Sequence, residues 1–174
     1  MKIISYRLNN ATSYGVLVNN ELYSLPENQS GLPASMNAFL ALEEKGMQLA
    51  QQTANQIADK SIVAVPIKNY EILAPVPHPT SCRDGYAFRQ HVEAARKNRG
   101  VEMIPEFDQY PIFYFTNHQA VEGPGPVYCM PDHFEQLDFE LEIAIVIGKK
   151  GRNIKASEAD AYIAGFTPFT SPLT

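Results

Sequence analysis

The stretch LDFELEIAIVI, Leu137 to Ile147, decides the reading of this chain. Its odd positions, Leu137, Phe139, Leu141, Ile143, Ile145 and Ile147, are all apolar, whereas the even positions open with Asp138, Glu140 and Glu142. A strict period of two is the signature of a β-strand, whose successive side chains point to opposite faces. The odd row is therefore expected to face a core, with Gly148 to Gly151 turning the chain at its end.

The even row carries the chemistry. Carboxylates two residues apart on one strand face lie about 7 Å apart, where unit charges repel by about 2 kcal/mol at an effective dielectric near 20. Two readings of the row stand: a solvated face beside basic neighbours, or a site for a hard divalent cation, which carboxylate oxygens suit and which would relieve the repulsion. Neither histidine nor cysteine adjoins the row, which makes zinc a poor fit.

Upstream of the strand, Tyr110 to Phe115 is aromatic and β-branched and reads as another strand, and EGPGP at 122 to 126 reads as a turn. Before these, CRDGYAFRQHVEAARKNRG places Phe88, Val92 and Ala95 on one face and pairs Arg89 with Glu93 and Glu93 with Lys97 at i+4, which predicts a helix ending near Asn98 to Gly100. If that helix starts early, Asp84 and His91 share a face about 10 Å apart, too far for a hydrogen-bonded dyad. They could flank a small substrate; equally, Asp84 could be an ordinary N-cap and His91 a packed helix-edge residue.

Further out, Lys2 to Arg7, Tyr14 to Val18 and Glu21 to Ser24, separated by NNATS and Asn19-Asn20, predict an antiparallel meander. Ser35 is expected to cap a short helix closed by Gly46, and Met47, Ala50, Ala54, Ile57 and Ala58 continue at helical spacing. Prolines at 66, 75, 77 and 79 deny ladder donors and place a domain boundary near Val65 to Asn69. Downstream, Ser157 with Asp160 resembles a capping box for a last short helix closed by Gly165. The chain is thus expected to be α+β and strand-rich, with residues 1–66 as a small N-terminal domain.

The 174 residues carry 14 Lys and Arg against 19 Asp and Glu, a formal charge of −5, with 45% of residues hydrophobic. No block of basic residues supports nucleic-acid or anionic-membrane binding, and no apolar run approaches a membrane span, so small molecules or proteins are the expected partners and the cytoplasm the default location. Cys82 and Cys129 are read as free thiols. No phosphate-binding glycine loop, nucleophile elbow or HExxH is present.

Two segments together resemble the fumarylacetoacetate hydrolase family: DGYAFRQH, Asp84 to His91, and LDFELEIAIVIGKKGRNI, Leu137 to Ile154, followed by EADAYIAGFT, Glu158 to Thr167. The resemblance implies a small N-terminal domain followed, over residues 67–174, by the first half of a mixed β roll, and a homodimer for the full-length form. It implies Asp84, Glu140 and Glu142 as ligands of Mg²⁺ (or Ca²⁺ or Mn²⁺), His91 as the general base that activates water, and Tyr86 and Tyr114 as substrate contacts. Asp138 has no ligand role in that pattern. The implied activity is cleavage of a carbon–carbon bond in an acylpyruvate or 1,3-diketo acid; decarboxylation or tautomerisation of a 2-oxo acid on the same fold, and a non-catalytic interaction domain, are the alternatives. After GFT the family continues with a strand carrying an Asn-Asp pair, whereas here PFTSPLT follows, and its two prolines are expected not to form a strand. A break in the reading frame near Phe166 to Pro168, leaving an inactive fragment, is the corresponding expectation.

Overall fold

Four asparagines shape the N-terminal sheet. In the computed structural model, which describes residues 1–173 (with side chains at all but 133, 134, 136 and 171–173), Asn9, Asn10, Asn19 and Asn20 take φ of 51°, 65°, 50° and 65°. Such paired positive φ makes two-residue hairpin turns whose twist matches that of the strands. They join β1 (Ile3–Leu8), β2 (Ala11–Val18) and β3 (Glu21–Ser24), with Leu8 opposite Ala11 and Val18 opposite Glu21. The expected meander is present, its first turn narrowed from NNATS to Asn9-Asn10. Farther along the chain, β4 (Glu71–Ile72) pairs with β1, giving the order β3-β2-β1-β4.

Tyr14, Val16 and Val18 alternate along β2 and are buried against three helices, α1 (Leu25–Asn28), α2 (Met36–Leu40) and α3 (Glu43–Ala58). Ser24 and Ser35 cap α1 and α2 by accepting from the N–H of Glu27 and of Ala38, each at 3.3 Å. Phe39 from α2 and Ala50, Ala54 and Ile57 from α3 complete the core. Tyr14 donates its hydroxyl to the Pro33 carbonyl at 2.8 Å, and burial pushes its pKa up to about 12. Gly46 does not close α2: it lies inside α3, where a Cβ would stand 2.9 Å from the Phe39 carbonyl oxygen. Close helix approach, not a left-handed cap, is what requires glycine there.

The chain divides into two compact units, Met1–Pro77 with Glu122 onward, and His78–Val121. In the second unit, β5 (Arg83–Gly85) pairs antiparallel with β6 (Phe113–Phe115), and α4 spans Arg89–Asn98, with Gly100 at φ 70° just past its end. The helix and its end match the sequence reading, but its start does not. Asp84 lies on β5, so it is not an N-cap and shares no helix face with His91. Phe88 precedes the helix and is exposed, leaving Val92 as the buried residue of α4.

In the first unit, β7 (Asp138–Ile147) forms a long antiparallel hairpin with β8 (Ile163–Leu173), from Asp138 opposite Leu173 to Val146 opposite Gly165. The segment PFTSPLT is therefore strand through Leu173, contrary to expectation; Thr174 lies outside the described residues. Among the described residues β8 pairs only with β7, and an edge strand of this kind tolerates prolines. Ser157 caps nothing: the turn at Ala156–Tyr162 is 3₁₀, entered from Lys155, and Gly165 lies within β8.

The alternation along β7 is as read, but its sides are reversed. Phe139, Leu141, Ile143, Ile145 and Ile147 are 52–76% exposed, while Glu140, Glu142, Ala144 and Val146 are half-buried. Among the described residues this sheet has two strands, and nothing covers the apolar row. A continuous exposed apolar row of this kind marks an interaction surface or an aggregation liability. The purified chain is expected to self-associate at micromolar concentration in size-exclusion chromatography with light scattering, and Ile143→Lys to shift it toward monomer. A wild-type monomer with a cooperative thermal transition would show that the row needs no cover.

Candidate functional site

Glu140 and Glu142 project from the same face of β7 because they are two residues apart on one strand. Both are half-buried, Oε1 of Glu142 is shielded from solvent, and a carboxylate oxygen of each lies within 4.8 Å of one of the other. The side chains thus lean together, closer than the backbone spacing of about 7 Å. Divalent cations bind oxygen ligands at about 2.0–2.6 Å, so two oxygens at this separation can share one ion. The donor set, all carboxylate, fits a hard cation and not zinc. Asp138 is exposed, and its Oδ1 accepts from the N–H of Phe139 at 2.8 Å.

In the other unit, Asp84 sits mid-strand on β5, half-buried and directly opposite Tyr114 on β6. Tyr114 donates its hydroxyl to Asp84 Oδ2 at 2.6 Å, so two sequence-expected site residues meet here. On the opposite strand face, the Arg83 guanidinium lies 5.5 Å and 4.7 Å from the ring centres of Phe113 and Phe115. Each such contact is worth about 0.5–1 kcal/mol when exposed, and together they fasten the short strand pair. Tyr86 follows β5, its N–H held by the Ile112 carbonyl at 3.0 Å, with 39% of its surface exposed. His91 is exposed in the first turn of α4.

Sequence reasoning paired Arg89 with Glu93 but missed what else Arg89 does. Besides bonding Glu93 Oε1 at 2.9 Å, it donates to Asp108 and stacks over Phe107, tying Pro105–Asp108 to the helix turn that carries His91. Asp108 first and Glu93 second hold the guanidinium above its ordinary pKa. The i+4 partner was legible from spacing, whereas Asp108, nineteen residues away, was not. Among the described residues neither Cys82 nor Cys129 is in a disulfide, and no helix is long and apolar enough to cross a membrane.

The family model for the C-terminal domain of fumarylacetoacetate (FAA) hydrolase matches residues 80–171. The chain is 26% identical to the fumarylacetoacetate hydrolase domain-containing protein 2 homolog of Dictyostelium discoideum, over 96% of this chain and 52% of that protein. It is 32% identical to the mitochondrial oxaloacetate tautomerase Fahd2a of Rattus norvegicus, over 78% of this chain and 40% of that one. The chain thus spans about half the length of these relatives. Among solved structures, the fumarylacetoacetate hydrolase of Exiguobacterium antarcticum superposes with a TM-score of 0.66 at 20% identity, over 99% of this chain and 56% of that one. Maleylpyruvate hydrolase from Sphingobium sp. SYK-6, solved with manganese(II) and pyruvate, gives 0.65 at 17% identity, over 99% and 59%. At these identities the structures show the fold alone. With the family model covering more than half of its residues, and with the DGYAFRQH and LDFELE segments inside that match, the chain belongs to the fumarylacetoacetate hydrolase family.

Proposed function

We propose that this chain supplies the metal-holding and proton-transferring residues of a divalent-metal-dependent enzyme that hydrolyses a carbon–carbon bond in an acylpyruvate or 1,3-diketo acid. The observation that carries the reading is the half-buried Glu140–Glu142 pair, whose oxygens are within reach of a single ion. Asp84 joins them as the third ligand by its place in the family pattern, in a domain proposed to span residues 67–174. A bound Mg²⁺, Mn²⁺ or Ca²⁺ supplies Lewis acidity to the dioxo unit and to the enolate that departs.

His91 takes a proton from water as the water oxygen adds to the attacked carbonyl carbon. The carbon–carbon bond then breaks with its electron pair on the departing enolate, leaving a carboxylic acid at the attacked carbon, and a returned proton converts the enolate to the oxo product, pyruvate where the substrate is an acylpyruvate. Tyr86 orients substrate in this reading, by its place in the family pattern. His91 is exposed on α4, which is consistent with a role that needs contact with water.

A second reading, keto–enol tautomerisation of oxaloacetate, is favoured by the name of the relative at 32% identity. It needs the same ligands and the same base, but no added water. Both are tested by assaying an acylpyruvate and oxaloacetate with the chain in EDTA and after addition of Mn²⁺. Metal-restored hydrolysis of the acylpyruvate supports the first reading, and metal-restored equilibration of oxaloacetate alone supports the second. No metal-dependent turnover of either would overturn the enzymatic assignment for this chain. Calorimetric titration with Mn²⁺ is expected to give saturable heat that vanishes in Glu140→Gln with Glu142→Gln, whereas identical isotherms would remove the metal reading.

A further inference from the structure

Resting on that metal reading, we propose that Tyr114 is a positioning residue for the ligand Asp84, holding one carboxylate oxygen so that the other is presented to the cation. The two residues are a directly opposed cross-strand pair on β5 and β6, and the phenol hydroxyl reaches Oδ2 at 2.6 Å. A hydroxyl donating to an ionised carboxylate at that length is a strong, charge-assisted bond. A carboxylate has two oxygens, so a bond to Oδ2 leaves Oδ1 open to a metal.

The bond is also held in register. Arg83, adjacent to Asp84, stacks on Phe113 and Phe115, the two neighbours of Tyr114, from the opposite strand face. The strand pair therefore cannot slide without breaking those contacts. Outer partners of this kind fix the rotamer of a ligating carboxylate, and their loss commonly weakens metal binding by about 10- to 100-fold. This role differs from the substrate contact that the family resemblance implies for Tyr114.

The test is Mn²⁺ titration by calorimetry of wild type, Tyr114→Phe, Asp84→Asn and the double variant, with the thermal midpoint of each metal-free protein. Tyr114→Phe is expected to raise the Kd by about 10- to 100-fold at little change in thermal midpoint. In the Asp84→Asn background the same substitution should change the Kd little, because the carboxylate it positions is gone. Tyr110→Phe, exposed and outside the strand pair, should leave the Kd unchanged. An unchanged or lower Kd in Tyr114→Phe, or an equal loss in the Asp84→Asn background, would overturn this role alone. If Tyr114→Phe lowers the thermal midpoint, the comparison in the Asp84→Asn background still decides, since a general loosening of the strand pair acts in both. Wild type that binds no Mn²⁺ would overturn the metal reading and this role with it.

Discussion

His91→Ala is expected to lower kcat by about 10²- to 10⁴-fold with KM largely unchanged, since the general base proposed at this residue would act in the transition state and contribute little to ground-state binding. Steady-state kinetics on whichever substrate the chain turns over, acylpyruvate or oxaloacetate, would measure it. Glu140→Gln should behave differently: in the proposed mechanism, loss of one carboxylate weakens binding of the cation that would both hold substrate and stabilise its enolate, so KM rises as kcat falls, with partial recovery at high metal. Asp138→Asn is the internal control. It shares the strand face with Glu140, but its carboxylate is exposed and engaged by the next backbone N–H, so its effect should be much smaller. If Asp138→Asn matched Glu140→Gln, or if His91→Ala kept near-normal turnover, the assigned roles would be wrong for this chain.

The second large effect is on stability. Phe39→Ala should destabilise the N-terminal sheet-and-helix layer by about 3–5 kcal/mol, the usual cost of deleting a buried aromatic ring and leaving a cavity. Phe39 is 1% exposed, and its ring centre lies 5.0 Å from that of Tyr14, which is fully buried. Urea denaturation followed by circular dichroism would show a lower midpoint at an unchanged slope. Tyr14→Phe probes hydrogen bonding instead of packing, since it keeps the ring but leaves the Pro33 carbonyl without its donor at 2.8 Å. It should cost about 0.5–1.5 kcal/mol, the usual net worth of one hydrogen bond, since Pro33 is half-buried. Equal losses from the two substitutions would mean that the cavity is not the main cost at Phe39.

Much of the architecture was legible because it depends on local rules. Asparagine pairs between alternating runs predict tight hairpins, and the four positive φ values at Asn9, Asn10, Asn19 and Asn20 follow from the tolerance of asparagine for that region. Ser35 was readable as a cap, the end of α4 near Gly100 as a stop, and Leu137 to Ile147 as a strand by its period of two. The acidic pair followed from the same period, because spacing alone puts Glu140 and Glu142 on one face.

What depended on packing was not legible. Gly46 and Gly165 read as helix stops, yet one serves close helix approach inside α3 and the other lies within β8, because a glycine's role is set by what lies against it. The prolines of PFTSPLT argued against a strand, but whether a missing N–H matters depends on which side of the ladder it faces and on whether the strand is an edge. The pairing of Asp84 with Tyr114 is a matter of register between strands thirty residues apart, as is the reach of Arg89 to Asp108 across nineteen. Periodicity alone therefore determined that β7 has an apolar and an acidic side. Which side is covered was decided only by the tertiary structure, because burial is a property of neighbours and not of the strand itself.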